Sequence, residues 1–302
     1  MALKDIKAKI GATTRTGTVT RAMEAVSAVK MRKTQAAALA GRQYARAALS
    51  ILMRLAGTHA FTEHPLARTS TTGRVAVVVI TSDKGLAGSL NGGVIRATAR
   101  TVADTPVEEV AVFAYGKKGE EYFARRGYAI VESFVNKGDD ISPLVMEEFV
   151  QRLTQGFMAG AYRRVEVIYS NFKSTFEQEP TARTLLPLSL PAVETLVRDI
   201  TPVKGKWSND QEVVPPVAYR IEPSGEAVIE ALLPRLVAVS LHHMLLESKA
   251  SEHSARMVAM KNASDKSKEI VRDLTRTFNK MRQAAITREI SEIVGGREAL
   301  TV

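Results

Sequence analysis

The sequence predicts an α/β protein in which two long terminal helices pair as an antiparallel coiled coil and flank an α/β domain. Two observations support this fold class. Apolar residues recur at helical spacing over both ends of the chain, and strand-like and helix-like segments alternate between them. Two long helices that each carry an apolar stripe most simply cover one another, which predicts a rod with the α/β domain at one end.

The N-terminal helix is predicted over residues 1–57. At a rise of about 1.5 Å per residue, about 54 helical residues extend roughly 80 Å. The segment TTRTGTVT, residues 13–20, is the weakest point, because glycine costs about 1 kcal/mol relative to alanine inside a helix. We therefore expect a local kink near Gly17. The helical spacing rests on Leu3, Ile6, Ile10, Met23, Val26, Val29, Tyr44, Ala48, Ile51 and Leu55.

The α/β domain is predicted over residues 74–203. Strand-like segments are RVAVVVIT, VEEVAVFAY, YAIVESFV and RVEVIYSN, and the helix-like segments between them are VIRATARTVAD, KKGEEYFARRG and PLVMEEFVQRLTQGFMAG. Such alternation predicts a parallel or mixed sheet covered by helices. Residues 204–224 contain the pair Pro215 and Pro216 and are predicted to form an irregular connection.

A glycine-rich stretch, SDKGLAGSLNGG over residues 82–93, follows the first predicted strand. A strand, a glycine-rich turn and a helix form many phosphate sites, because backbone N–H groups at a helix N-terminus face the anion. The glycines here match neither the dinucleotide pattern G-x-G-x-x-G nor the triphosphate loop G-x-x-x-x-G-K-[ST]. Lys84 also precedes the first glycine, so it cannot reach back over a bound phosphate. The stretch favours a structural turn, with a nucleotide site as the alternative.

The second long helix is predicted over residues 225–302. The line of residues that faces the other helix is its seam. Small residues such as Ser264 and Ala285 replace large ones along this seam, which lets two helices approach closely. Pro234 has to lie within the first turns or cause a kink, because proline lacks the N–H that a helix interior requires. The seam follows steps of seven, four and three: Met257, Ser264, Val271, Leu274, Phe278, Met281 and Ala285.

Composition excludes several kinds of site. The 302 residues include no cysteine, which rules out disulfides, thiolate metal sites and thiol catalysis. The five histidines show no metal-ligand spacing with carboxylates, so neither a metal nor a cofactor is expected. The longest unbroken apolar run, residues 75–80, is too short to cross a bilayer.

The positive charge is concentrated at the N-terminus. Residues 1–56 carry 11 Lys and Arg against 2 acidic residues, which accounts for 9 of the chain's net charge of +10. A basic, acid-poor start also describes a mitochondrial presequence, but the helical pattern continues further than a cleaved segment does. It also suits a coiled coil that binds nucleic acid, although Tyr44 is the only aromatic residue in this segment.

Several stretches together resemble the gamma-subunit family of the rotary ATP synthase. They are LKDIKAKI, TRAMEAVSAVKMRKTQ, SDKGLAG, YRIEPS, ASEHSARMVAMKNASDKSKEI and NKMRQAAITREISEIVGG, in the family's order and over essentially the full chain. The resemblance implies that the central domain is Rossmann-like and has no nucleotide of its own. Family members usually carry arginine, cysteine and glycine where this chain has Lys84, Ala87 and Ser89. The chain begins two residues before the family's usual start, which fits a bacterial member better than an imported one.

By this resemblance the chain is the non-catalytic central rotor shaft of the synthase. The coiled coil is expected inside a hexamer of alpha subunits and catalytic beta subunits. The α/β domain is expected on the membrane ring of c subunits and beside the small epsilon subunit. Proton flow turns ring and shaft together, and the asymmetric shaft changes the conformation of the beta subunits in sequence. The resemblance also implies one copy per complex, no nucleic acid, and a peripheral location at the cytoplasmic face of the bacterial plasma membrane.

Ten positions match residues with which the family contacts its partners. The alternatives are solvated helix surface for the charged and polar residues, core packing for the methionine, and turn chemistry for the pair in YRIEP. Tyr219 and Glu222 match contacts with the c ring. The matches to contacts with the alpha and beta hexamer are Met23, Lys30, Arg32, Lys33, Arg282, Gln283, Thr287 and Glu289.

Two other functions stay open from the residues alone. A basic coiled coil that binds nucleic acid predicts a DNA affinity that falls steeply with salt. An α/β nucleotide hydrolase predicts ATP binding at the glycine-rich stretch. The spacing of those glycines and the position of Lys84 lead us to expect that the isolated chain neither binds nor hydrolyses ATP.

Overall fold

The computed structural model forms two compact units. The paired-helix unit comprises Met1–Ala28 and Arg256–Val302, and the sheet unit comprises Val29–Ala255. Two helices contribute to both units, namely α1 (Leu3–Ala40) and α6 (Gly225–Ala299). The structure describes residues 3–40, 47–48, 51, 55, 59–135, 143–189, 191–192, 195 and 221–299.

Among these described residues, five strands form one sheet in the sheet unit. The strands are β1 (Arg74–Ile80), β2 (Val110–Tyr115), β3 (Ala129–Phe134), β4 (Tyr162–Phe172) and β5 (Gln178–Leu186). Their order is β3-β2-β1-β4-β5, with β1 to β4 parallel and β5 antiparallel to β4. The fold class is therefore the predicted one, a Rossmann-like mixed sheet between two long helices.

The strand β1 lies at the middle of the sheet and is buried on both faces. Residues 75–80 are each at most 1% exposed, in register with β2 on one side and β4 on the other. An unbroken apolar run, β-branched except at Ala76, is the pattern expected of a central parallel strand.

Four shorter helices complete the sheet unit among the described residues. They are α2 (His59–Thr62), α3 (Leu90–Thr101), α4 (Lys117–Ala124) and α5 (Pro143–Met158), and a single 3-10 turn covers Val107–Glu109. One face of the sheet packs against Val94 of α3 and Phe123 of α4. The other face packs against Phe149 and Leu153 of α5 and against the first part of α6, including Leu236.

The strand β5 is an element that the alternation does not predict. Its sequence QEPTARTLL contains Pro180, which cannot donate to a sheet ladder and is usually confined to edge strands. The strand nevertheless forms because it pairs with β4 over most of its length and buries Leu185 and Leu186.

The first part of α6 is attached to the sheet by a buried hydrogen bond. The hydroxyl of Ser251 donates to the carbonyl oxygen of Ser170 in β4, at 2.9 Å. On one side, Ser170 lies opposite Pro180 of β5, which has no N–H. On the other side, β1 ends at Ile80, one residue before the position that would lie beside Ser170. Because neither neighbouring strand supplies a donor there, the helix supplies it.

In the paired-helix unit, α1 and α6 approach closely. A methyl group in place of the Gly17 hydrogen would lie 3.2 Å from Cβ of Ser267, and Thr20, Ser264 and Ser267 are buried beside it. The helix α1 is continuous through residues 13–20, where hydroxyls such as that of Thr14 donate to carbonyl oxygens four residues earlier. Gly17 therefore provides a close helix contact within an uninterrupted helix.

The exposure of α6 shows that the pairing is antiparallel. With Gly17 opposite Ser267, an antiparallel partner of Leu3 lies near Met281. The seam residues Leu274, Phe278, Met281 and Ala285 are partly buried, whereas every residue from Ile286 to Val294 is exposed. Burial thus ends where α1 begins, as the antiparallel register requires.

Pro234 is the tenth residue of α6, and the helix continues past it. By length and composition alone, an 18-residue window of this helix is apolar enough to cross a membrane, a feature that single apolar runs do not reveal. Half of that window is buried inside the protein, as in the core helix of a domain. This is weak evidence for a membrane span.

Some predictions fall on residues outside the described ones. The irregular connection over residues 204–224 is described only from residue 221, and the N-terminal helix beyond residue 40 only at isolated helical positions. The predicted domain limits 1–57, 74–203 and 225–302 therefore stay predictions.

Candidate partner-binding surfaces

The end of α6 carries an exposed apolar surface. Four side chains that are 47–71% exposed form it, and we call them the apolar stripe: Ile286, Ile290, Ile293 and Val294. At about 100° per residue, they project within roughly 100° of one another and about 135° away from the seam that faces α1. The stripe therefore lies on a side of α6 that α1 does not cover.

The four predicted contacts on this part of α6 border the apolar stripe. Arg282, Gln283, Thr287 and Glu289 are all exposed. The helical period places Arg282 and Glu289 along one side of the stripe and Thr287 along the other, whereas Gln283 is in line with the stripe, just before its first residue. An apolar centre with polar and charged residues at its edge is the composition of a protein–protein interface.

The structure does not bring Met23 close to these four residues. Met23 is partly buried in α1. The register of Gly17 with Ser267 places it opposite Lys261 of α6. Lys261 and Arg282 are separated by roughly 30 Å along the helix at about 1.5 Å per residue. Met23 therefore belongs to a different region of the paired-helix unit.

The predicted basic cluster lies further along α1, in the sheet unit. Arg32 and Lys33 are exposed, and Lys30 is partly buried. Val26 and Val29 of the same helix are 55% and 67% exposed, so exposed apolar side chains precede the basic ones along α1.

The structure describes one of the two predicted contacts with the membrane ring. Tyr219 lies outside the described residues. Glu222 is exposed, three residues before α6 begins.

Hydrogen bonds within the protein hold the glycine-rich stretch of residues 82–93 in place. The carboxylate of Asp83 accepts a hydrogen bond from the backbone N–H of Lys117, at the first residue of α4, at 3.1 Å. Thr81 Oγ1 accepts one from the N–H of Gly119 at 2.8 Å. The carboxylate of Asp83, inside the stretch, thus binds the N-terminus of the neighbouring helix α4. Burial, together with the negative charge of Asp83, raises the pKa of Tyr115 beside it.

Two of the four glycines in this stretch, Gly88 and Gly93, have structural reasons of their own. A side chain on Gly93 would place its Cβ 2.7 Å from Cγ of Pro180, so glycine allows α3 to pack against β5. Gly88 has a φ of 57°, in the left-handed region that glycine adopts easily. Asn91 Oδ1 accepts from the N–H of Ser82 at 3.0 Å, which closes the loop onto the start of α3.

Histidines and carboxylates do not assemble into a metal centre in the described part of the chain, where no group of three or more has suitable geometry. The adjacent pair His242 and His243 lies in the part of α6 that packs on the sheet. His243 Nε2 is 3.0 Å from Glu247 Oε1, one helical turn away. Burial, and then the neighbouring His243, lower the pKa of His242. These are packed helix residues.

The apolar stripe is the surface feature that sequence reasoning missed. Its signal was available, because Ile286, Ile290, Ile293 and Val294 recur at spacings of four, seven and eight residues. That spacing defines a second helical face beside the one that continues the seam. The spacing alone does not reveal that this face is exposed because α1 ends before it reaches the apolar stripe.

Comparison with known proteins gives a consistent result over the whole chain. A family model described as ATP synthase matches residues 2–300. The ATP synthase gamma chain of Pelotomaculum thermopropionicum is 38% identical over 298 residues, with 99% of both chains covered. That of Herpetosiphon aurantiacus is 39% identical over 309 residues, with 98% of both chains covered.

Solved structures agree on the fold. A chain of the Tetrahymena thermophila mitochondrial ATP synthase, in a structure of its central stalk and c ring, matches with a TM-score of 0.59 and 25% identity. The match covers 82% of this chain and 99% of that one. A chain of the Euglena gracilis enzyme matches with a TM-score of 0.62 and 16% identity, over 99% of this chain and 94% of that one. The chain belongs to the ATP synthase gamma chain family and is a subunit of that complex.

Proposed function

We propose that this chain is the central rotor shaft of a rotary ATP synthase, which couples rotation of the membrane ring to sequential conformational change in the catalytic subunits. The observation that carries the proposal is the exposed end of α6. Its apolar stripe is uncovered within the chain, and a second protein that surrounds the helix removes this area from water.

The proposed partners at this end are the alpha and beta subunits of the catalytic hexamer. Arg282, Gln283, Thr287 and Glu289 border the stripe, so they lie where a surrounding protein contacts the helix. A charge-assisted hydrogen bond from a residue such as Arg282 contributes about 1.5 to 3 kcal/mol. The paired-helix unit presents Met23 as a further, separate contact, and Lys30, Arg32 and Lys33 form a basic contact with acidic residues of the same hexamer.

The proposed contacts with the membrane ring are Tyr219 and Glu222, close to the start of α6, with the epsilon subunit also bound to the sheet unit. One copy per complex and a peripheral position at the cytoplasmic face of the bacterial plasma membrane are part of the same proposal. Family membership supports them, because a gamma chain works as a part of the whole synthase.

We further propose that the chain itself carries no active site. The glycine-rich stretch supports this, since it contains the carboxylate of Asp83, and since Gly88 has a conformational reason and Gly93 a packing reason. A nucleotide phosphate placed there meets a carboxylate, which repels it. Calorimetry on the isolated chain should show no ATP binding, and micromolar binding contradicts this part of the proposal.

The test of the function is co-purification. The chain, tagged and expressed in its own host, should bring down the alpha and beta subunits in a complex with ATPase activity. A pulled-down set that lacks alpha and beta subunits contradicts the proposal. Retention of DNA that is lost steeply with rising salt favours the nucleic-acid-binding alternative instead.

A further inference from the structure

The glycine-rich stretch contains an asparagine that is followed directly by glycine. Of the six asparagines in the chain, Asn91 precedes Gly92, and the other five precede residues with a side chain. The side-chain amide of an asparagine can be attacked by the backbone nitrogen of the next residue. A glycine leaves this nitrogen open, because it has no side chain. Asn91 is therefore the asparagine of this chain that is most open to such a reaction.

The nitrogen of Gly92 lies outside the hydrogen-bond ladder of α3. Gly92 is the third residue of this helix, and the first N–H groups of a helix have no acceptor within it. The ladder begins with the N–H of Gly93, which donates to the carbonyl oxygen of Ser89 at 2.8 Å. Ser89 is the N-cap residue, and its hydroxyl makes no capping hydrogen bond. Asn91 and Gly92 are both partly buried, so water still reaches them.

Hydrogen bonds to Ser82 hold the side chain of Asn91. Asn91 Oδ1 accepts from the N–H of Ser82 at 3.0 Å, and Asn91 Nδ2 donates to Ser82 Oγ at 2.8 Å. Ser82 is 0% exposed, and its hydroxyl in turn donates to the carbonyl oxygen of Lys84 at 2.5 Å. Attack on Asn91 requires its carboxamide to turn from Ser82 toward the nitrogen of Gly92, so these hydrogen bonds oppose the reaction.

We propose that Asn91 is a deamidation site of the folded chain and that its hydrogen bonds with Ser82 set the rate. The nitrogen of Gly92 forms a bond with Cγ of Asn91, and the bond between Cγ and Nδ2 breaks. The amide proton of Gly92 leaves with Nδ2 as ammonia. Water then opens the cyclic imide at either of its carbonyl carbons, which gives aspartate or isoaspartate. Water is the only other reactant, and the product carries a new carboxylate.

The two products affect α3 differently. Aspartate keeps the acceptor for the N–H of Ser82 but loses the donor that bonds to Ser82 Oγ. Isoaspartate also adds a methylene group to the backbone in the first turn of α3. In that helix Val94 packs on the sheet and Gly93 lies against Pro180 of β5. Isoaspartate should therefore loosen both the start of α3 and the stretch that precedes it.

The test follows deamidation of the purified full-length chain in mildly alkaline buffer. Peptide mass spectrometry measures the mass gain at position 91 when O replaces NH, and an isoaspartate methyltransferase with a labelled methyl donor detects isoaspartate. The native chain should react at Asn91 before any other asparagine, through local opening, and more slowly than the chain unfolded in guanidinium chloride. Gly92→Ala should suppress the reaction in both states. Its Cβ meets the flexible end of Arg96, so the fold should tolerate it.

Two serine variants isolate the role of the hydrogen bonds. Ser82→Ala removes the partner of Asn91 Nδ2 and should accelerate deamidation of the native chain by about threefold to tenfold. Ser89→Ala is the matched control, because it removes an exposed hydroxyl of the same stretch that does not cap α3, and it should leave the rate unchanged. In guanidinium chloride both variants should react as fast as the parent chain, since the hydrogen bonds are then absent. Circular dichroism checks that the variants fold.

Four results overturn the inference. They are a native chain that stays unmodified at Asn91 while the unfolded chain reacts, equal rates in the native and unfolded parent chain, equal rates in the native parent and folded Ser82→Ala, and an equal acceleration by Ser89→Ala. The second comparison tests the restraint even if Ser82→Ala does not fold. The inference concerns the isolated chain, so its failure leaves the proposed function unaffected.

Discussion

The helix α6 has two parts with different surroundings, although it is one continuous helix. Between Ser240 and Ser254, in the sheet unit, every residue except the partly buried His242 is buried, including polar ones such as Ser251. From Ser264 onward, in the paired-helix unit, only the seam is covered, and beyond Ala285 every described side chain is exposed. The chain covers the first part of this helix by itself, whereas the described side chains at its end are exposed.

The comparison shows where the chain obtains its stability. Burial of a large apolar side chain contributes about 1.5 to 3 kcal/mol, and the sheet unit buries many of them. Among the described residues of the paired-helix unit, the buried apolar side chains are those of Ile6 and Met260, and the close contact at Gly17, Ser264 and Ser267 buries little apolar area. Because an isolated helix depends on tertiary packing for its order, the paired-helix unit should be the less stable of the two in the free chain.

The largest expected effect comes from the core of the sheet unit. Leu153 is 0% exposed and lies among the residues between α5, α6 and the sheet. Leu153→Ala should lower the free energy of unfolding by about 2 to 5 kcal/mol, because it leaves a cavity. Urea denaturation of the free chain measures it. The matched control is Ile290→Ala in the apolar stripe, which should change the free chain by less than about 0.5 kcal/mol. Equal effects of the two variants contradict the comparison.

A smaller loss is expected from the hydrogen bond that joins α6 to the sheet. Ser251→Ala leaves the buried carbonyl oxygen of Ser170 without a donor, which should lower the free energy of unfolding by about 1 to 3 kcal/mol. Ser291→Ala, at an exposed position of the same helix, is the control and should have almost no effect. If thermal denaturation gives the two variants the same stability, the carbonyl oxygen of Ser170 has another hydrogen-bond donor.

The next effect concerns function rather than folding. Arg282→Ala with Gln283→Ala should lower the ATPase activity of the assembled complex by about tenfold, the equivalent of about 1.4 kcal/mol in a rate-limiting rotary state. The complex should still assemble, because assembly depends on many other contacts. Arg276→Ala with Thr277→Ala changes two exposed neighbours on the same helix and should leave turnover nearly normal. Normal turnover in both complexes identifies Arg282 and Gln283 as solvated helix surface.

The smallest effects compare two glycines of α1. Gly11 has open space where a Cβ would lie, so Gly11→Ala should stabilise the helix by about 0.5 to 1 kcal/mol. Gly17→Ala gains the same helix propensity but places its Cβ 3.2 Å from Cβ of Ser267, so the gain should be reduced or reversed. Helicity of the free chain by circular dichroism separates the two. Equal stabilisation by both variants shows that α1 and α6 are further apart at Gly17 than the structure places them.

The strands and helices of the sheet unit could be predicted because their signals are local. The run RVAVVVI and the helix-like segments carry periodicity within a few residues. The strand β5 lacks such a signal, since Pro180 lies inside it and its pairing with β4 decides its structure. Sequence patterns therefore described this domain correctly except where a distant partner determines the local conformation.

For the glycine-rich stretch, the sequence showed only that no known phosphate-binding motif matches. The structural role of this stretch depends on residues far apart in the sequence, since Asp83 accepts a hydrogen bond at the start of the helix that begins at Lys117, and Gly93 makes room for Pro180. The kink expected near Gly17 stays a prediction, and it also came from local residues alone. Helix propensity described the glycine alone, whereas its neighbour Ser267 lies 250 residues further along the chain.

The positions of the partner contacts came from family resemblance and not from periodicity. The structure adds that Arg282, Gln283, Thr287 and Glu289 border the apolar stripe, and that Met23 lies far from them along the helix. These contacts stay predictions. A single sequence specifies the helix but not the proteins around it.

Hydrogen exchange along α6 tests the central claim most directly. In the free chain, amides from Leu233 to Ser254 should exchange slowly, together with those of β1, β2 and β4, and amides from Ser264 to Val294 should exchange fast. In the assembled complex the second segment should become protected as well, because its exposed face is then covered. Uniformly slow exchange along α6 in the free chain, or no gain of protection on assembly, contradicts the account.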